Sequence, residues 1–208
     1  MRVYLVRNGQ TEYNRLGIMQ GRTDVSLNLF GVKQSHLCAK KLKEIDFDAI
    51  YSSENESALQ TAKILASMQN NQELDFYSHP LLKAIDLGSF EGLTWAQAIK
   101  LNPDINFDNI SNKKMAQIYK GESYADVQDR VKYFLDWLSG FNYRNVLIVT
   151  HGTIIKSIIS NILELKMEKS GKYFVHNTGI SIIEKNDSKD WKIVTINDYS
   201  HLNILRKD

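Results

Sequence analysis

The sequence predicts an α/β fold, a three-layer α/β/α sandwich around a mainly parallel central sheet. Three observations predict it. Strand-like and helix-like segments alternate along the 208 residues, the pattern that builds helices onto both faces of a sheet. The strand-like segments are short apolar runs, as expected for buried strands. Two of these runs break directly into polar residues and glycine, which is how strands end at a ligand crevice in open α/β sheets.

The elements follow in order. Val3-Tyr4-Leu5-Val6 reads as the first buried strand and Arg7-Asn8-Gly9 as its exit turn. Residues 28–45 carry Val32, Leu37, Leu42 and Ile45 at broadly helical spacing. Residues 47–53 (FDAIYSS) form a short strand, and 57–68 return to helix with Leu59, Ala62, Leu65 and Ala66 on one side. The clearest helix covers 124–140, where Val127, Val131, Phe134, Leu135 and Leu138 line one face, Ser123 caps the start and Gly140 marks the end. Residues 145–163 run strand, sharp turn, helix; 179–185 and 191–197 are β-rich. Residues 103–121 are polar and weakly periodic and read as an insertion or lid over one end of the sheet. Residues 198–208 read as a surface tail. With no repeat or linker, 1–208 is one domain, and its length supports a sizeable core.

Composition narrows the classes. Lys and Arg number 26 against 24 Asp and Glu, a net charge of +2; this balance gives no polyanion-binding signal and argues against nucleic acid. No run approaches a membrane span, and the N-terminus shows no secretion signal. Cys38 is the single cysteine, so an internal disulfide is excluded and a reducing, cytoplasmic setting is expected. The five histidines are scattered rather than set at ligand spacing, so no metal and no cofactor is expected. A homodimer through a sheet edge, or a protein partner, stays open.

Two strand ends point to one place: Arg7-Asn8-Gly9 and Thr150-His151-Gly152-Thr153. After the second a helix begins, whose unpaired N–H groups favour an anion. Arg7 offers the planar fork suited to phosphate or carboxylate. Taken singly, each has a plainer explanation. Asn-Gly is a common hairpin turn, but no alternating strand follows it; an isolated arginine is usually a surface residue, and an isolated histidine usually structural. Their pairing at two strand ends is what points to an anion pocket.

The fragments LVRNGQTEYN, MQGRTDVSLNLFGVKQ, IYSSENESALQTA, LLKAIDLGSFEGLTW, GESYADVQDRV and VTHGTIIK resemble, in order and spacing, the motifs of the histidine phosphatase superfamily, the phosphoglycerate mutase-like proteins, in its small bacterial phosphatase branch. The resemblance implies a cleft in which one histidine attacks a phosphoryl group, two arginines and a second histidine hold the phosphate, and a carboxylate serves as acid and base. Arg7 matches the first arginine and His151 the second histidine. Asn14, Gln20, Gly21, Arg22, Glu122 and Thr153 match residues around the phosphate and substrate.

Three matched positions depart from the family. Asn8 stands where the nucleophilic histidine is expected, Ser57 where the second arginine is expected, and Ala84 where the glutamate is expected. An amide is not a nucleophile, although it can still hydrogen-bond an oxyanion. Ser57 leaves one hydroxyl in place of a charged clamp. Loss of a general acid costs roughly 10²–10⁴-fold and loss of a nucleophile on the order of 10⁶-fold. Asp86 is a candidate displaced acid; Glu12, Glu54 and Glu56 read as solvated or capping.

Three readings follow. The chain is a catalytically silent homologue that binds a small anionic metabolite or a protein. Alternatively it is an enzyme of altered chemistry, with Arg7 holding an anion, Asn8 hydrogen-bonding a developing charge and His151 as acid or base. The third is a phosphatase or mutase inactivated by substitution.

Overall fold

The computed structural model describes residues 1–71, 74–101, 113–167, 174–185 and 190–206. Six strands form one sheet: β1 (Arg2–Arg7), β2 (Ala49–Ser52), β3 (Asp75–Ser78), β4 (Asn145–Thr150), β5 (Ile180–Lys185) and β6 (Trp191–Asp198). Their order across the sheet is β3-β2-β4-β1-β5-β6. The pairs β3/β2, β2/β4 and β4/β1 are parallel, while β5 runs antiparallel to β1 and β6 to β5. The expected mainly parallel α/β/α sandwich is therefore observed.

Strand alternation divides the core in two, because successive side chains leave opposite faces. Val3, Leu5, Val146 and Ile148 pack with α6 (Tyr124–Leu138) and α7 (Gly152–Ile162). Tyr4, Val6, Leu147 and Val149 pack with α2 (Leu29–Leu42) and α3 (Glu56–Ala66). The predicted stripe of α6 is buried throughout, and Ser123 and Asp126 close a capping box at its start. Each of those buried apolar side chains contributes about 1.5–3 kcal/mol. A third, smaller cluster of Met19, Phe90, Ala98, Ala116 and Tyr119 sits beneath α4 (Trp95–Leu101) and α5 (Lys113–Tyr119).

Several elements differ from the sequence reading. The five-residue helix α1 (Glu12–Leu16) begins at Thr11, which shares reciprocal capping bonds with Asn14. Edge strand β3 is mostly exposed and lacks the apolar run that marks the other parallel strands. Of the expected lid at 103–121, residues 103–112 lie outside the described residues, while α5 packs Ala116 and Tyr119 inward. The segment read as a surface tail is docked: Ser200–Arg206 forms a 3-10 helix that buries Leu202, and Lys41 of α2 pairs with Asp198 at 2.7 Å. Residues 207–208 of that tail lie outside the described residues. Among the described residues, no helix is long and apolar enough to cross a membrane.

Candidate anion-binding site

Three parallel strand ends build the site. β1 and β4 are paired through Arg7 and Thr150, and β2 and β4 through Ser52 and Val149. The ladder extends one residue past β1, where the Asn8 N–H donates to Thr150 O at 2.8 Å. It also extends past β2, where the Ser53 N–H donates to Val149 O at 2.9 Å. Arg7-Asn8, Ser53 and His151 are thus delivered to one rim by sheet register. That rim opens into a cleft of about 620 Å³.

Arg7, Asn8, Asn14, Gln20, Gly21, Ala84, His151 and Thr153 all line this cleft. Two glycines shape its floor. Gly152 starts α7, and a Cβ there would lie 3.4 Å from Arg7 Nε, so the guanidinium rests directly against the opening turn. Gly21 has φ +53, and a Cβ would collide with the Glu91 carboxylate. That carboxylate accepts from the Arg22 N–H at 2.7 Å and the Thr23 hydroxyl at 2.6 Å, which pins the loop around Gln20. Asn14 joins the same wall: Asn177 donates from one Nδ2 to Asn14 Oδ1 at 3.0 Å and to Asn8 O at 2.9 Å.

Other sequence candidates stand away from the cleft wall. The Ser57 hydroxyl is buried and, among the described residues, has no hydrogen-bond partner. Arg22 turns to two carboxylates, Asp86 at 3.3 Å and Glu122 at 3.1 Å. Glu122 is also held by Arg130, with Nε at 2.9 Å and Nη2 at 3.0 Å. Asp86, the candidate displaced acid, accepts from the Gly88 N–H at 2.9 Å in addition to facing Arg22. Glu12 pairs with Arg15, Glu54 with Lys83, and Glu56 accepts from Gln60. No aspartate or glutamate is among the described residues on the cleft wall.

The electrostatics are one-sided. Arg7 donates Nη1 to Val175 O and makes no ion pair among the described residues; burial pushes its guanidinium down to about 10, so it stays charged at neutral pH. Burial, with Arg7 and Arg130 adding like charge, pushes His151 down to about 3. His151 is therefore neutral, and its Nε2 lies 2.9 Å from Ser53 Oγ. Asn8 donates Nδ2 to Gly9 O at 2.9 Å.

Sequence reasoning missed Ser53, the third strand end, whose serine pair reads as ordinary loop chemistry. It also missed Lys156, which lines the cleft one helical turn beyond Gly152; within the apolar sequence of α7 it reads as a solvated position. Trp95, Tyr124 and Phe174 supply aromatic wall from distant parts of the chain. Among the described residues, no group of three His, Cys, Asp or Glu side chains could hold a metal.

Known proteins share this frame. The model of the histidine phosphatase superfamily (branch 1) matches residues 3–199. A metal-independent phosphoserine phosphatase of Arabidopsis thaliana is 30% identical over 203 residues, covering 96% of this chain and 82% of its own. Phosphoglycerate mutase-like protein 4 of the same plant is 30% identical over 205 residues, covering 96% and 86%. The crystal structure of a His-to-Ala mutant of phosphoserine phosphatase from Entamoeba histolytica, in complex with phosphoserine, superposes with a TM-score of 0.81. It is 30% identical and covers 97% of this chain and 98% of that one. The family match spans nearly the whole chain, and the fold superposes on solved relatives: the chain belongs to branch 1 of the histidine phosphatase superfamily.

Proposed function

We propose that this protein is a pseudophosphatase: it binds a small anionic metabolite, a phosphomonoester or a carboxylate, in the Arg7–His151 cleft without turning it over through a phosphohistidine. The observation that carries the reading is Arg7, a half-buried, desolvated cation that, among the described residues, has no carboxylate partner and shares its cleft wall with no acidic side chain. A desolvated charge is costly unless paired, and an anionic ligand supplies the missing partner. The first turn of α7 adds unpaired N–H groups on the same side.

The chemistry expected of the family lacks its parts here. Asn8 provides an amide at the rim where a nucleophile is required, and its Nδ2 is bonded to Gly9 O. Ala84 lines the cleft with a methyl group, and Ser57 contributes no charge. The Entamoeba relative, with a histidine replaced by alanine, is in complex with phosphoserine, which supports binding in this fold without a full complement of histidines.

The altered-chemistry reading is weaker because of His151. Burial pushes the ring down to about 3, so at neutral pH it is an uncharged imidazole, a poor acid and a feeble base. The deciding experiment titrates inorganic phosphate and sulfate into the wild type and Arg7→Met by calorimetry, with phosphomonoesterase activity assayed in parallel. Binding that disappears in Arg7→Met, with no turnover above buffer, is the expected outcome. Brisk hydrolysis by the wild type overturns the proposal.

A further inference from the structure

Residues 174–179 form a strap that runs from the cleft wall into β5, and Arg7 is bonded to it at three points. Arg7 Nη1 donates to Val175 O. The Arg7 carbonyl accepts from the Thr178 N–H at 2.9 Å, and the Arg7 N–H donates to Gly179 O at 3.3 Å. Among the described residues, Val175 O is the acceptor that the guanidinium has. Whatever fixes the strap therefore fixes the direction of the charge.

Asn197, near the end of edge strand β6, grips the strap from behind. Its Nδ2 donates to Phe174 O at 2.7 Å and to His176 Nδ1 at 2.9 Å, while its Oδ1 accepts from the His176 N–H at 2.8 Å. The amide thus spends both hydrogens and its oxygen on the two residues that flank Val175. Two backbone features permit this. Asn197 has φ +54, in the left-handed region that asparagine enters more readily than most side-chain-bearing residues. A Cβ on Gly179 would stand 2.3 Å from Asn197 Oδ1, so only glycine there leaves room for the amide. Asn197 itself does not line the cleft.

We infer that Asn197 is a positioning residue of the anion site: by holding the strap on both sides of Val175, it sets the carbonyl that aims the Arg7 guanidinium. This rests on the anion-binding reading of Arg7 given above. A guanidinium takes an anion through two parallel bonds only when its fork is correctly turned, and a fork aimed in advance loses less freedom on binding. Arg7 has no carboxylate partner among the described residues to aim it, so the task falls to Val175 O and, through it, to Asn197.

The test starts from Asn197→Gly, which keeps the left-handed backbone accessible and deletes the grip. Calorimetry with inorganic phosphate is expected to show binding weakened roughly tenfold, the scale of one hydrogen bond to a charged group. Nitrogen-15 NMR of the Arg7 guanidinium, assigned by its loss in Arg7→Met, should pass from distinct Nη signals to averaged ones as the group begins to rotate. Asn197→Asp keeps the acceptor for the His176 N–H but sets a second oxygen against Phe174 O, and should fall between the two. The control is Ile50→Val, fully buried in β2, four strands away from β6; it should lower the denaturation midpoint while phosphate affinity and the Arg7 signals hold. If Asn197→Gly, or Asn197→Asp should the glycine variant not fold, leaves both readouts at their wild-type values, the role of Asn197 is overturned while the Arg7 site stands. If Ile50→Val weakens phosphate by the same factor, the loss is general loosening and the role is overturned as well. If the wild type binds no phosphate, the anion-binding reading falls, and with it the role assigned to Asn197.

Discussion

His151 Nε2 and Ser53 Oγ meet at 2.9 Å across the mouths of β4 and β2. This bond orients the ring, which burial and the like charges of Arg7 and Arg130 keep neutral. His201 is similarly pushed down to about 4, mainly by burial, and His79 shifts in the same direction. A histidine whose folded pKa lies below its unfolded value stabilises the fold above about pH 6.5, and that stability is lost as pH falls toward the folded pKa. Urea unfolding is expected to show stability falling by about 2–4 kcal/mol between pH 7 and pH 4.5. His151→Gln combined with His201→Gln should flatten this slope.

Reversion of the three departures tests whether the frame is still competent. The variant Asn8→His/Ser57→Arg/Ala84→Glu is expected to hydrolyse 4-nitrophenyl phosphate at least about 10²-fold faster than the wild type, whereas Asn8→His alone regains little. Equal rates for the triple variant and the wild type would show that the cleft has been rebuilt beyond these three positions.

Ser57→Ala should leave stability unchanged or raise it by up to ~1 kcal/mol, since the hydroxyl is buried and has no partner among the described residues. Most buried polar-to-apolar exchanges in cores are costly, so the sign is informative. A loss above ~1 kcal/mol in guanidinium unfolding would mean that the hydroxyl is bonded in solution.

Arg130 ties the Ala84 segment to α6. Its guanidinium holds both Glu122 oxygens and donates to the carbonyls of Leu81, Lys83 and Ala84. Its side chain is 11% exposed. Arg130→Met is expected to cost about 3 kcal/mol, because three carbonyls lose a donor together and the Glu122 carboxylate loses the less exposed of its two arginine partners. The denaturant midpoint reads this directly, and a change below about 1 kcal/mol would refute the role.

Gly9 and Gly31 let the β1 exit loop lie against the first turn of α2. A Cβ on Gly9 would stand 2.6 Å from Gly31 O, and one on Gly31 would clash with Gln10. Gly31→Ala is expected to destabilise by about 1–3 kcal/mol and to weaken phosphate binding, since it shifts Asn8. Unchanged binding and stability would show that the loop is free to move.

What was legible in the sequence follows from how local each signal is. α6 and the β4–α7 turn announce themselves through unbroken periodicity and capping residues, so their bounds agree with the structure to within a few residues. β3 was not legible because, of its four residues, three are exposed and none belongs to an apolar run. α1 is too short to show a period. At the site, Arg7 and His151 stand at strand ends and could be read directly. The diversion of Arg22 to Asp86 and Glu122 depends on partners 64 and 100 positions away in the chain, which no local pattern encodes. Lys156 looks like a solvated helix position until the sheet brings Arg7 beside it.

The register of β2, β4 and β1 makes the sheet a jig. Whatever side chain is placed at positions 8 or 53 is presented at the same spot, because its backbone is clamped by ladder bonds, and position 151 is fixed between the end of β4 and the first turn of α7 rather than by its own chemistry. Such a frame does not depend on the chemistry of the side chains it carries. Its residues can be exchanged one at a time for new recognition tasks, and the same property makes this chain a ready-made mount for installing a different reactive group by design.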